Sequence, residues 1–129
     1  MNNLTFDVIN CAYEVHNNLG PGLLESIYQK ALAVELKTKG FNIKCEVPIE
    51  VFYKGEKVGE NLRVDILVND TLILELKSVD KVTDLHKKQL LTYLRLTKKK
   101  IGLLINFNEM RLKEGITRIV NNYQETAQK

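Results

Sequence analysis

The sequence predicts an α/β chain of the mixed α+β kind, with a central mixed β-sheet flanked by helices. Two observations carry this. Apolar residues recur at helical spacing, then alternate strictly, then return to helical spacing before a short apolar run. Glycine, proline and asparagine fall at the joints between these stretches. The predicted order is α-α-β-β-β-α-β, which packs as a mixed sheet with helices laid on it.

The first helix covers 5–18, where Phe6, Val8, Ile9, Ala12, Tyr13 and Val15 form one apolar stripe. Gly20-Pro21-Gly22 ends it. The second runs from about Leu23 to Lys39, with Leu24, Ile27, Tyr28, Ala31, Leu32 and Leu36 inward, and Gly40 as its stop. Ile43, Cys45, Val47, Ile49, Val51 and Tyr53 then alternate as a long strand. Pro48 cannot donate to a ladder, so this strand lies at an edge or carries a bulge. Lys54-Gly55-Glu56-Lys57 reads as a hairpin turn into a second strand at 62–68, and Asn69-Asp70 turns the chain into a third at 71–77. Helical spacing returns from Val82 to Thr97, and Ile101–Ile105 is a strand apolar on both faces. Residues 115–120 fit a last short strand or a helical turn equally well.

A chain of 129 residues builds one domain, 1–129, with its own core. No apolar run approaches the roughly 20 residues that span a bilayer, and the first residues lack the basic start and apolar stretch of a signal peptide. The expectation is a cytoplasmic protein with no membrane partner. Cys11 and Cys45 each fall in an apolar pattern and read as small buried hydrophobes in a reducing compartment; no Cys-x-x-Cys suggests structural zinc. A net charge of +3 permits a polyanionic partner without arguing for one. The basic run Lys98-Lys99-Lys100 reads as a solvated turn, and His16 as a residue of the first helix's last turn.

Three charged residues interrupt the apolar strands. Asp65 lies in Val64-Asp65-Ile66-Leu67-Val68, and Glu75 and Lys77 lie in Ile73-Leu74-Glu75-Leu76-Lys77. Glu75 and Lys77 are two apart and share a face. Two accounts fit: an ion-pair ladder on a solvated face, or charges kept in a central sheet because they hold a metal.

The pattern Asp65, then Glu75-x-Lys77, resembles the active-site signature of the PD-(D/E)XK nuclease superfamily, with Val64 at the position of its nominal proline. Gly22-x-x-Glu25-x-x-Tyr28 adds a second motif. With Gly20-Pro21, Gln89-Leu90-Leu91-Thr92-Tyr93-Leu94 and Gly102–Phe107, it resembles the bacterial and archaeal GxxExxY family of that superfamily, over residues 6–120. The resemblance implies a restriction-endonuclease-like core and a Mg²⁺- or Mn²⁺-dependent nuclease acting on nucleic acid, DNA first. It also implies pairing of two copies as a homodimer. Asp65, Glu75 and the carbonyl of Leu76 would hold the metal, as hard oxygen donors suit these ions. Lys77 would orient or deprotonate the attacking water, with Glu25 as a helix-borne acid and Gln89 as a supporting residue. Tyr28, Tyr93 and His86 are candidate substrate contacts. Against that, Glu25 alone is a surface glutamate, Tyr28 and Tyr93 fit core packing, and His86 fits a helix surface. The alternative function is a catalytically silent nuclease-fold module that binds nucleic acid or a protein.

The metal account makes a demand on register. Asp65 and Glu75 must share a face to hold one metal, and pairing them directly across an antiparallel pair requires an odd number of residues in the loop. A three-residue loop, Asn69-Asp70-Thr71, meets this; a two-residue turn would set Asp65 against Leu74 on the wrong face.

Overall fold

The computed structural model describes residues 2–122. Its helices are α1 (Asn2–Leu19), α2 (Glu25–Thr38) and α3 (Asp84–Thr97). Its strands are β1 (Ile43–Tyr53), β2 (Glu56–Val68), β3 (Leu72–Lys77), β4 (Ile101–Asn106) and β5 (Ile116–Val120), in the spatial order β1-β2-β3-β4-β5. All pairings are antiparallel except β3 with β4, which are parallel and joined by α3. The fold is α+β, as the change of period predicts. The open tail resolves into a 3₁₀ turn, Leu112–Gly115, and then a strand.

The sheet carries a core on each side. On one side α1 and α2 cover Ile66, Val68, Leu72, Leu74, Leu76, Leu103 and Ile105. On the other, Leu90, Tyr93 and Leu94 of α3 cover Leu67, Ile73 and Leu104. Helix α3 lies close on β4: a side chain at Gly102 would meet Leu90 Cδ1 at 3.0 Å. Central β3 is therefore apolar on both faces, and β1 is an edge, which accommodates Pro48.

The β1–β2 hairpin is longer than its sequence suggests. Its turn is Lys54-Gly55 alone, both with positive φ (52° and 84°), and β2 starts at Glu56 rather than at residue 62. Two register shifts, between Ile49 and Val51 and between Val51 and Phe52, blur the alternation of β2. Cys11 is buried, but Cys45 is exposed, contrary to its apolar setting. The cause is the edge: helical cover of β1 on this side reaches Ile43 and no further.

Candidate metal and nuclease site

The loop between β2 and β3 decides the site. Val68 pairs with Leu72, Leu67 with Ile73 and Ile66 with Leu74, so the loop is Asn69-Asp70-Thr71. Asn69 and Asp70 both take the left-handed conformation (φ 51° and 58°). Asn69 is pinned to the start of β1: its N–H donates to the Asn42 carbonyl at 2.7 Å and its Oδ1 accepts the Asn42 N–H at 3.0 Å. Extending this register one step places Asp65 opposite Glu75.

At that step side chains replace the backbone ladder. The Asp65 N–H donates to Glu75 Oε1 at 3.2 Å, and the Leu76 N–H donates to Asp65 Oδ2 at 2.8 Å. The two carboxylates thus cross between the strands. The Lys77 carbonyl accepts from the Phe107 N–H at 2.9 Å, so it points toward β4. Strand alternation turns the Leu76 carbonyl the other way, to the side where its own N–H meets Asp65. The arrangement brings two carboxylates and a carbonyl oxygen to one edge of β3.

A twist in β2 accompanies this. Val64 packs in the α3-side core, whereas Ile66, two residues on, packs in the α1/α2-side core. Regular alternation would put both on one face, so the faces exchange around Asp65. Across the hairpin, the pairs Cys45–Ile66 and Val47–Val64 flank Glu46, which has φ 56°. Glu46 therefore stands opposite Asp65, and sequence periodicity has no signal for it.

The electrostatics are those of a site short of positive charge. Glu75 is only 7% exposed. Burial, then the nearby Asp65 charge, push its carboxyl up to about 8, against the pull of the Asp65 N–H and Lys77. Burial also lifts Asp65 above its ordinary value; the Leu76 N–H opposes this, and Glu46 and Glu25 reinforce it. Glu25 opens α2, exposed, with its Oε2 accepting the Ser78 N–H at 3.3 Å. Its charge reaches both carboxylates. It does not complete a cage: among the described residues, no three Asp, Glu, His or Cys side chains are grouped to hold a metal.

Two residues missed in the sequence fix this end of β3. Ser78 Oγ donates to the Leu23 carbonyl at 2.6 Å, tying the start of α2 to the strand. Asn106, fully buried and in register with Lys77, accepts from the Val79 N–H (3.1 Å) and the Asn108 N–H (3.2 Å) and donates to the Val79 carbonyl (2.9 Å). The one signal was an asparagine closing an apolar run. Asn106→Ala strands these groups and should cost about 1–3 kcal/mol in chemical denaturation.

The other candidates separate. Tyr93 packs in the α3-side core, and its hydroxyl feels Glu75 and Asp65: burial, then their charges, raise its pKa. Gln89, one turn earlier on α3, is exposed. His86 belongs to the helix cap, its Nδ1 accepting the Thr83 N–H at 3.0 Å while Thr83 Oγ1 accepts the His86 N–H at 3.3 Å. Tyr28 is not placed to touch a substrate. It is fully buried, stacked on Phe107 at 4.6 Å, and its hydroxyl donates to the Gly20 carbonyl and accepts the Leu23 N–H. Its work is to hold the Gly20–Leu23 loop that delivers Glu25. Tyr28→Phe should cost about 1–3 kcal/mol by leaving the Gly20 carbonyl and the Leu23 N–H without their hydroxyl partner, and Tyr28→Ala about 3–5 kcal/mol, read as shifts in urea midpoint. His16 is likewise structural, with Nε2 at 2.7 Å from the Glu109 carbonyl.

A mixed sheet flanked by helices, with an Asp and a Glu-x-Lys meeting on adjacent strands, is the architecture of restriction-endonuclease-like proteins. The model of the PD-(D/E)XK nuclease superfamily matches residues 2–119, and the chain belongs to that superfamily. Among curated proteins, none matches the sequence. Among solved structures it is similar to the crystal structure of SSO0001, with a TM-score of 0.56 and 25% identity over 79% of this chain. The match covers 52% of that chain, so the present one spans about half its length. No helix among the described residues is long and apolar enough to cross a membrane.

Proposed function

We propose that this chain is a divalent-metal-dependent nuclease of the GxxExxY kind, hydrolysing phosphodiester bonds in nucleic acid. The observation that carries it is the crossed pair of Asp65 and Glu75, bonded to each other's strands at 3.2 and 2.8 Å with Glu75 pushed up to about 8. Two like charges side by side at one strand edge, Glu75 buried and Asp65 half-buried, need a cation if both are to ionise. The donor set of Asp65, Glu75 and the Leu76 carbonyl is all hard oxygen, which fits Mg²⁺ or Mn²⁺. When bound, such an ion supplies charge stabilisation for the phosphorane-like transition state and an acidified water.

The protein's own groups would do the rest. Lys77 shares the face of Glu75 and places a cation beside the reacting phosphate. The Leu76 N–H fixes the Asp65 carboxylate, and the Asp65 N–H fixes Glu75, so neither needs to reorganise on binding. Glu25 stands at the rim, held by Ser78, where it can accept a proton or orient water. The absence of a three-acid cage among the described residues favours one other reading, a module that binds nucleic acid without cutting it. Cleavage assays on single- and double-stranded DNA and RNA with Mg²⁺ or Mn²⁺ separate the two. Metal-dependent cutting abolished by Asp65→Ala is the expected result; no cutting of any substrate leaves the binding module.

A further inference from the structure

We propose that the β1–β2 hairpin is an arm that grips single-stranded nucleic acid, stacking an unpaired base on Tyr53. This rests on the nuclease reading and adds the substrate class.

The position of the arm follows from register. Strand β1 runs in the same direction as β3, since both are antiparallel to β2. Glu46 stands level with Asp65, and β1 continues beyond it to Tyr53, roughly 20 Å of strand. The arm therefore rises past the end of β3 that carries Glu75 and Lys77. Its inner face is also defined. Val47 and Ile49 pack in the α3-side core. At both register shifts the extra residues lie in β2, so alternation along β1 continues through Val51 to Tyr53. Tyr53 thus extends the face that Glu75 occupies on β3, with Phe52 on the opposite side.

The chemistry of the tip suits a nucleotide. Tyr53 is 63% exposed and Phe52 58% exposed, and the Lys54 ammonium lies 5.5 Å from the centre of the Tyr53 ring. A flat ring with a cation beside it matches a base and its phosphate. Charge alone would not hold a polyanion here: residues 44–63 contain four lysines and arginines against four glutamates. A duplex is held mainly through its phosphates and needs a basic surface. Stacking needs a base whose face is open, hence a single strand. A second copy pairing along β1 fits poorly, because Pro48 lacks an N–H, Glu46 is left-handed and the hairpin is bulged.

The test is fluorescence anisotropy with a labelled oligothymidine, a duplex of equal length and a base-free sugar-phosphate strand, with Ca²⁺ as the divalent ion. The parent should bind oligothymidine more tightly than either competitor. Tyr53→Ala should weaken oligothymidine roughly tenfold or more, leave the base-free strand unchanged, and melt with the parent, since Tyr53 is exposed. Tyr53→Phe should bind like the parent. Equal binding of oligothymidine by parent and Tyr53→Ala overturns the proposal, as does an equal loss on the base-free strand. A change from dimer to monomer on Tyr53→Ala, seen by light scattering with no change in binding, also overturns it and makes the arm a self-association element. Metal-dependent cutting with Tyr53 indifferent to binding removes the arm and keeps the nuclease. Tyr53-dependent binding without cutting does the reverse.

Discussion

Lys77→Ala is expected to cut nucleic acid about a hundredfold more slowly than the parent, or slower still, while binding Mg²⁺ or Mn²⁺ at least as well. Lys77 donates nothing to a metal, and its charge already pulls down the carboxyls of Asp65 and Glu75. Removing it leaves the carboxylates in place and takes a positive charge from beside the ion's seat, which favours the ion. What is lost is a cation at the reacting phosphate, a group that matters most in the transition state. Asp65→Ala behaves differently, losing metal binding and cleavage together. Single-turnover cleavage and metal titration on the two variants separate catalyst from ligand. Equal cutting by Lys77→Ala and the parent would make Lys77 an ordinary strand lysine.

The second large effect is on stability against pH. In the metal-free protein the Glu75 carboxyl sits at about 8, against an ordinary value of 4.5. A carboxyl raised on folding binds its proton more tightly in the folded state. Its contribution is therefore fully present below about pH 4.5, falls by roughly 1.4 kcal/mol per pH unit above that, and is gone once the pH passes about 8. Glu75→Gln keeps an acceptor for the Asp65 N–H but cannot ionise. It should be more stable than the metal-free parent by a few kcal/mol at pH 8–9, with the difference closing toward pH 4.5. Saturating metal should flatten the parent's curve over the same window, because the ion takes the place of the proton. Urea denaturation at several pH values reads all three; parallel curves for parent and variant would mean that Glu75 ionises freely.

Much of this was legible in the residues. The change of period marked the helices and strands, and Pro48 marked the edge. Counting tied the Asp65–Glu75 relation to the loop length, but the plain reading of Asn69-Asp70 as the turn, with a strand from residue 71, pointed to the wrong register; the strand starts at Leu72 and Thr71 joins the loop. What stayed hidden depends on backbone conformations with no periodic signature. The left-handed Glu46, the face exchange around Asp65 and the bulged arm leave β1 looking like a plain strand in sequence. Cys45 was misplaced for another reason: alternation tells a face but not where helical cover ends. Tyr28 shows a further limit. Its helical turn from Glu25 suggested the site, yet a buried hydroxyl takes the nearest backbone partners, here Gly20 and Leu23, and becomes structural. Ser78 and Asn106 act through loop carbonyls and amides far away in sequence, which only the folded chain brings together.

Calorimetric titration with Mn²⁺ asks whether Asp65 and Glu75 hold one divalent ion. The parent should bind with a stoichiometry near one, releasing protons at pH 7 because Glu75 must ionise to take the metal. Asp65→Ala should not bind in the same range. An absence of Mn²⁺ binding by the parent, or binding that Asp65→Ala leaves unchanged, would mean that these two carboxylates hold no metal.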